Sequence, residues 1–384
     1  MASSPAQTAR DFIEMLGAPA WRARLAALAG SAGPARQARA LAQRHAAEAG
    51  VERLRRGEPG PAGLPELLAE LLHTHAQSGA AGRARLQAAL AAALQGRATL
   101  MGPLHLARNA LQHRAQGFSV GYAGWQEGAP FDLLLCRQQA QAELVCDLAS
   151  AEEGRDLPRF AWVRLVDLVD PDLQRWLDAH PGRYLLKMTL PQGLVPDGES
   201  PDPLARLQGR VRAMLADSRR TDQDSAAVLR LDPLALAAPA TDEAGMLSRL
   251  RQEFGPQAHL AVTASRGGVL VLAARAGRAD AVAAALRRRL AELAPVRLTG
   301  ARPGILSLMV EDTDPAEWAL LRDQMEIEGE ARHFLAERAA RGVVAVACAA
   351  RHELLAGQGE GLRFCNPAHQ AARDPALAPA VVSR

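Results

Sequence analysis

Residues 131–148 read FDLLLCRQQAQAELVCDL, two apolar runs joined by a short polar stretch. Side chains alternate between the faces of a strand, so Glu143 and Asp147 share a face of the second run. We expect a β-hairpin in which Asp132 lies opposite Val145 or Asp147, depending on where the turn is centred. Three carboxylates would then gather on one side of the strand pair. That placement costs free energy unless a metal ion, a basic group or water meets them.

The composition is that of a soluble globular protein. The 384 residues are 48% hydrophobic and 23% charged, enough for one large core or two to three ordinary ones. No run of about 18 apolar residues occurs, so no membrane span is predicted. The N-terminus carries acidic residues and no apolar segment, which argues against a targeting peptide and favours a cytoplasmic location.

Charge and cysteine usage exclude few classes of function. Basic and acidic residues number 45 and 42, so the balance neither requires nor excludes a nucleic-acid partner. Lys187 is the only lysine. The four cysteines contain no C-x-x-C pair, which argues against a structural zinc site and against a disulfide framework.

Periodicity and Pro/Gly-rich breaks divide the chain into four segments and predict an α/β (α+β) protein. We expect a helical domain at 1–100, a mixed core at 101–192, a ferredoxin-like β-α-β-β-α-β unit at 202–300 and an α/β extension at 301–384. Within the core we expect a helix at 103–116, strands at 118–124, 131–136 and 142–148, a helix ending near residue 179, and a strand at 183–190. In the third segment we expect strands at 226–231, 258–264, 268–274 and 295–298, with helices at 243–254 and 279–293.

This α-β-β-β-α-β order, with Asp132 on the second strand and an acidic residue on the third, resembles the restriction-endonuclease-like PD-(D/E)XK nucleases. The resemblance implies that Asp132 and a third-strand carboxylate, Glu143 or Asp147, hold Mg²⁺. It also implies a lysine two residues after the third-strand acid, which positions or activates the attacking water while the metal polarises the phosphate.

The sequence departs from the family motif at the third strand. If the motif is centred opposite Asp132, its Glu and Lys positions hold Val145 and Asp147. If it starts at Glu143, its Lys position holds Val145. Valine can neither bind a metal ion nor donate to a phosphate, so the resemblance implies a nuclease fold without nuclease chemistry.

A lysine from a neighbouring element is the alternative. If the strand that carries Lys187 pairs beside the hairpin, its ammonium could reach the cluster of Asp132, Glu143 and Asp147. Arg155 could then supply the phosphate clamp. The chain would be an active nuclease with Mg²⁺ as its cofactor.

Arginines on or just after one predicted helix are the candidate nucleic-acid contacts: Arg206, Arg210, Arg219 and Arg220. As phosphate ligands they would give salt-dependent affinity for DNA. The competing interpretation is a solvated helix face. Aromatic residues make up only 4% of the chain, which does not support base stacking on exposed rings.

Three functional hypotheses follow. The favoured one is a bacterial pseudo-nuclease that binds DNA or a protein partner, and the resemblance implies a mobile-element or defence context. The second is the active Mg²⁺-dependent nuclease. The third is a structural assembly protein, with a homo-oligomer possible, in which the carboxylates pair with arginines. No membrane partner is expected.

Overall fold

The computed structural model describes residues 3–30, 35–194, 202–234, 250, 258–357 and 361–382. They form an α/β protein with two mixed β-sheets, which confirms the predicted class. The chain divides into a first unit, Met1–Ser31, Ala42–Glu153 and Ala283–Arg384, and a second unit, Ala32–Leu41 and Gly154–Val282. Each unit is assembled from separated segments, whereas the sequence analysis expects four consecutive domains.

The helices, numbered along the described chain, have the following bounds: α1 (Pro5–Leu16), α2 (Ala18–Gly30), α3 (Ala35–Arg44), α4 (Ala46–Arg55), α5 (Leu64–Gln77), α6 (Ala80–Leu94), α7 (Met101–Ala115), α8 (Ala123–Glu127), α9 (Arg159–Ala179), α10 (Pro203–Ala216), α11 (Val282–Arg297), α12 (Pro315–Asp323), α13 (Glu326–Ala336), α14 (Arg351–Ala356) and α15 (Ala378–Val381). None of these helices is long and apolar enough to cross a membrane.

The strands have the following bounds: β1 (Ser119–Gly121), β2 (Leu133–Arg137), β3 (Ala140–Ser150), β4 (Gly182–Leu190), β5 (Thr221–Gln223), β6 (Val228–Pro233), β7 (His259–Ser265), β8 (Gly268–Ala276), β9 (Gly304–Glu311), β10 (Val343–Ala350) and β11 (Leu362–Cys365).

The first unit contains a six-stranded sheet in the order β1-β2-β3-β9-β10-β11. Strands β1, β2 and β3 form an antiparallel meander, and β3, β9 and β10 run parallel. The hairpin turn is tight because Arg137 pairs with Ala140, and Gln138 adopts a positive φ of 55°. One face of the hairpin packs against the apolar side of α7, where Leu133 and Leu144 are fully buried.

The strand predicted at 183–190 exists as β4, but it does not join the hairpin. It pairs with β6 and β8 in the second sheet, and β9 occupies the position beside β3. The prediction that the strand at 183–190 belongs to the same core as the hairpin is therefore wrong. A parallel strand covered on both faces requires a continuous apolar run. Every residue of β9 is buried, whereas burial along β4 is interrupted.

The second unit contains a five-stranded sheet in the order β5-β6-β4-β8-β7. Helices α9 and α10 cover it through a shared apolar core that includes Leu165, Leu186 and Leu272. The two ends of the segment 154–282 meet, since the backbone N–H of Ala281 donates to the carbonyl of Gly154 at 2.7 Å. A Cβ at Gly154 would lie 2.6 Å from the carbonyl oxygen of Ala281, so only glycine fits this approach.

The predicted ferredoxin-like unit differs from this arrangement. The central strand is β4, which the prediction assigned to the preceding domain. The strand predicted at 295–298 is wrong, because α11 continues through Pro295 to Arg297. The helix predicted at 243–254 lies outside the described residues, apart from Leu250.

Candidate functional site

Asp132 lies directly before β2, where the hairpin fixes its position. Its backbone N–H donates to the carbonyl of Leu144 at 3.0 Å. Since Leu133 pairs with Leu144, Asp132 lies opposite Val145, the first of the two registers expected from the sequence. The Oδ2 atom of Asp132 accepts a hydrogen bond from the backbone N–H of Cys146 at 2.8 Å.

Arg297, in the last turn of α11, neutralises Asp132. Its Nη2 atom donates to both carboxylate oxygens at 2.9 Å. The side chains are 29% and 20% exposed, so the pair is largely removed from water. Burial raises the pKa of Asp132, and the guanidinium of Arg297 opposes that rise. Both carboxylate oxygens are thus already bound to N–H donors.

Arg289, on the same helix, neutralises Asp147. Its Nε atom donates to Oδ2 of Asp147 at 2.6 Å, and this hydrogen bond raises the pKa of Arg289. Arg289 and Arg297 are eight residues apart, which places them on one face of α11. One helix therefore presents two guanidinium groups to the carboxylates of the hairpin.

Glu143 has a structural role distinct from those of the two aspartates. Its side chain is fully buried. It accepts hydrogen bonds from the backbone N–H of Thr299, at 2.8 Å, and from the Thr299 hydroxyl, and Arg302 lies 3.5 Å away. Glu143 therefore fastens the loop that leads from α11 into β9.

We expect Glu143→Ala to lower the free energy of unfolding by about 3 kcal/mol, since a buried charged acceptor of two hydrogen bonds is lost. Urea unfolding followed by circular dichroism measures the change. The exposed Glu58→Ala is the matched control, with an expected effect within about 0.5 kcal/mol. Equal unfolding curves for the two variants would contradict this role.

The carboxylates do not form a metal site. Within the part of the chain that the structure describes, no group of three or more His, Cys, Asp and Glu side chains could hold a metal ion. Asp132 and Asp147 are each bound to a guanidinium, and Glu143 is bound to Thr299. These residues do not fit the Mg²⁺ site that the family resemblance implies.

The predicted helper residues Lys187 and Arg155 lie in the second unit. Lys187 is on β4, where its Nζ atom is 3.8 Å from Oδ2 of Asp232. Arg155 is only 4% exposed, and its Nε atom is 3.7 Å from Asp280. The alternative of an active nuclease that uses Lys187 requires β4 to pair beside the hairpin, and β4 does not pair there. A buried Arg155 is likewise not available as a phosphate clamp.

The four arginines predicted to contact DNA fall into two groups. Arg210 is bound to Asp222 at 2.8 Å and to Asp224 at 2.5 Å, and Arg219 is bound to Asp222 at 3.3 Å. Arg206 and Arg220 are exposed and have no ion pair with the residues that the structure describes. Half of the predicted basic surface is therefore neutralised by acidic neighbours.

Sequence reasoning misses Arg297 because the predicted helix ends at residue 293, whereas α11 continues to Arg297. With a strand predicted at 295–298, Arg297 was not placed on the face that carries Arg289. The spacing of eight residues between these arginines is the signal that could have found the pair, had the helix been extended by one turn.

No family model, curated protein or solved structure matches the chain. Its function must therefore be inferred from the geometry of its own residues.

Proposed function

We propose that this chain is a non-cleaving relative of the PD-(D/E)XK nucleases that acts by binding, with a protein partner favoured over DNA. The order of elements in the first unit supports the proposal. Helix α7 is followed by β1, β2 and β3, and then by α11 and β9, which gives a helix, three strands, a helix and a strand. The segment 154–282 is then an insertion between the third strand and the second helix.

The residues at the Glu and Lys positions of the family motif support the absence of nuclease activity. Val145 lies opposite Asp132, at the position of the metal-binding Glu, and Asp147 stands two residues later, at the position of the lysine. A valine side chain offers no metal ligand, and a carboxylate cannot replace an ammonium donor.

The two ion pairs of α11 are the main support for the proposal. Arg297 on Asp132 and Arg289 on Asp147 supply the positive charge that the carboxylates need. A metal ion would have to displace both guanidinium groups. Mg²⁺ sheds its water reluctantly, and breaking one partly buried ion pair costs about 3–5 kcal/mol. The helix therefore excludes the metal from the site.

The proposed mode of action is binding, because the site offers no group in a catalytic arrangement. A protein partner is favoured because Arg210 and Arg219, two of the arginines expected to contact DNA, are bound to aspartates of the same chain.

We expect no nicking of supercoiled plasmid by the purified chain in millimolar Mg²⁺ or Mn²⁺. Gel electrophoresis after prolonged incubation measures it, with Asp132→Ala and the exposed Asp323→Ala assayed in parallel. Metal-dependent cleavage that Asp132→Ala abolishes and Asp323→Ala retains would refute the proposal. Cleavage retained by both variants would identify a contaminating nuclease.

DNA remains the second candidate partner because Arg206 and Arg220 are exposed. Fluorescence anisotropy with a labelled duplex separates the two candidates. If these two arginines contact phosphates, affinity should fall about tenfold between 50 and 200 mM salt, and Arg206→Gln/Arg220→Gln should flatten that dependence. The exposed Arg332→Gln is the control. Absence of binding at low salt leaves the protein partner as the supported candidate.

A further inference from the structure

Strand β7 lies at an edge of the second sheet and is the longest edge strand among the strands that the structure describes. The sheet order ends at β7, which pairs with β8 alone. It has seven residues, whereas the other edge strands, β1, β5 and β11, have three, three and four. From Leu260 to Ser265 it contains neither a charged residue nor a proline. A long, uncharged edge of this kind invites pairing with another molecule unless the protein shields it.

The register of the β7–β8 hairpin shows which backbone groups face the open edge. Ser265 and Gly268 close a two-residue turn, so this pair exchanges both of its backbone hydrogen bonds. Every second residue before Ser265 therefore points its N–H and C=O groups away from β8, namely Leu260, Val262 and Ala264. Among the described residues, no carbonyl of another element accepts a hydrogen bond from these N–H groups.

Arg36, in the first turn of α3, covers the middle of this edge. Its Nη2 atom donates to the carbonyl of Val262 at 2.6 Å. The same guanidinium lies 3.2 Å from Asp170 and 3.5 Å from Asp167, both on α9. The side chain of Arg36 therefore stands where the backbone N–H of an added strand would have to bond.

The two aspartates hold this guanidinium in place. Asp170 accepts a hydrogen bond from the hydroxyl of Thr263 at 2.6 Å, which ties its carboxylate to β7 itself. Asp167, whose side chain is only 3% exposed, accepts from the backbone N–H of Gln37 at 3.3 Å. A carboxylate at the N-terminus of a helix satisfies a free N–H group and the positive end of the helix dipole. These contacts anchor the first turn of α3 beside β7.

We propose that Arg36 guards the edge of β7 and prevents it from pairing with β7 of a second copy of this chain. Two identical antiparallel strands are self-complementary about a twofold axis, because each offers the same donors and acceptors. The stretch Leu260–Ser265 carries no charge that would repel its own copy. Loss of Arg36 frees the carbonyl of Val262 at the centre of such a pair. All of these residues lie in the second unit, so the proposal stands whether or not the chain is a pseudo-nuclease.

The oligomeric state of Arg36→Ala, measured by size-exclusion chromatography with light scattering, tests the proposal. We expect a monomeric wild-type chain and a variant that dimerises as its concentration rises. Arg212→Ala is the matched control and should stay monomeric, since Arg212 also pairs with an aspartate of α9, Asp172 at 3.1 Å, but is not bound to β7. Circular dichroism verifies that both variants fold. A dimeric wild-type chain, or a folded Arg36→Ala that stays monomeric, would overturn the proposal.

A second substitution identifies the surface through which the variant associates. Ala264 is exposed and its N–H faces the open edge, so proline at this position removes that donor without breaking a bond to β8. We expect Arg36→Ala/Ala264→Pro to be monomeric again. A dimer that persists in this double variant would place the contact on another surface and contradict the assignment to β7.

Amide exchange of the wild-type chain, followed by NMR, tests the open edge without any substitution. The N–H groups of Leu260, Val262 and Ala264 should exchange about tenfold faster than those of Ala261 and Thr263, which bond to β8. Equal protection along the whole strand would mean that the edge is already paired in solution, and the guarding role of Arg36 would be wrong.

Discussion

The first unit is expected to lose stability steeply as the pH falls from 6.5 toward 4. Burial lowers the pKa of His105 to about 4 and that of His113 to about 3, from an ordinary value of 6.5. In this window the unfolded chain binds a proton at each histidine and the folded chain does not. Stability is therefore present above pH 6.5 and is lost as the pH falls. Each histidine contributes about 1.4 kcal/mol per pH unit, so the pair contributes about 2.8 kcal/mol per unit.

Urea unfolding at successive pH values, followed by circular dichroism, measures this slope. Replacing the histidine whose Nδ1 atom has no hydrogen-bond partner among the described residues, His113→Gln, should lower the slope by about 1.4 kcal/mol per pH unit, because glutamine does not titrate. The exposed His333→Gln is the control and should leave the slope unchanged. A His113→Gln slope equal to that of the wild-type chain would contradict the assignment of His113 as a buried neutral imidazole.

Arg297→Ala is expected to lower the free energy of unfolding by about 3 kcal/mol at pH 8, because Asp132 is left as a buried charge without its cation. The loss should be smaller at pH 5. Burial already holds the pKa of Asp132 above its ordinary value, and removal of Arg297 raises that pKa further. The folded state then binds the proton before the unfolded state does, so stability returns as the pH falls through the raised pKa.

A double-mutant cycle isolates this ion pair. Asp132→Asn in the Arg297→Ala background should recover most of the stability at pH 8, because the amide carries no charge to bury. Arg332→Ala, which removes an exposed ion pair with Glu328, should cost within about 0.5 kcal/mol. If the effects of Asp132→Asn and Arg297→Ala on the free energy of unfolding simply added, the two side chains would not be coupled.

The hairpin was predictable because its signal is local. Alternating apolar residues on both sides of a polar turn define two strands, and the strict period of two fixes which carboxylates share a face. The position of Asp132 opposite Val145 was one of two registers that the sequence allows. Tight pairing of Arg137 with Ala140 selects it.

The neighbour of β3 could not be predicted from local patterns. Glu143 pairs with Gly304, across the whole insertion, while the nearer β4 has an equally clear strand pattern. The position beside β3 is covered on both faces, and β9 is favoured there because all of its residues are buried. The arginines of the site depend on the same long-range placement, because α11 enters the first unit directly before β9.

The contact between Gly154 and Ala281 closes residues 154–282 into a cassette, to which the second unit adds Ala32–Leu41. Because the two ends of the cassette are already within one hydrogen bond of each other, a short turn could bridge them after excision. None of the strand registers in the six-stranded sheet involves residues 154–282, so they need not change when the cassette is shortened, exchanged or removed. A segment of different length or sequence can therefore occupy this point while the sheet that carries Asp132 and Asp147 keeps its registers.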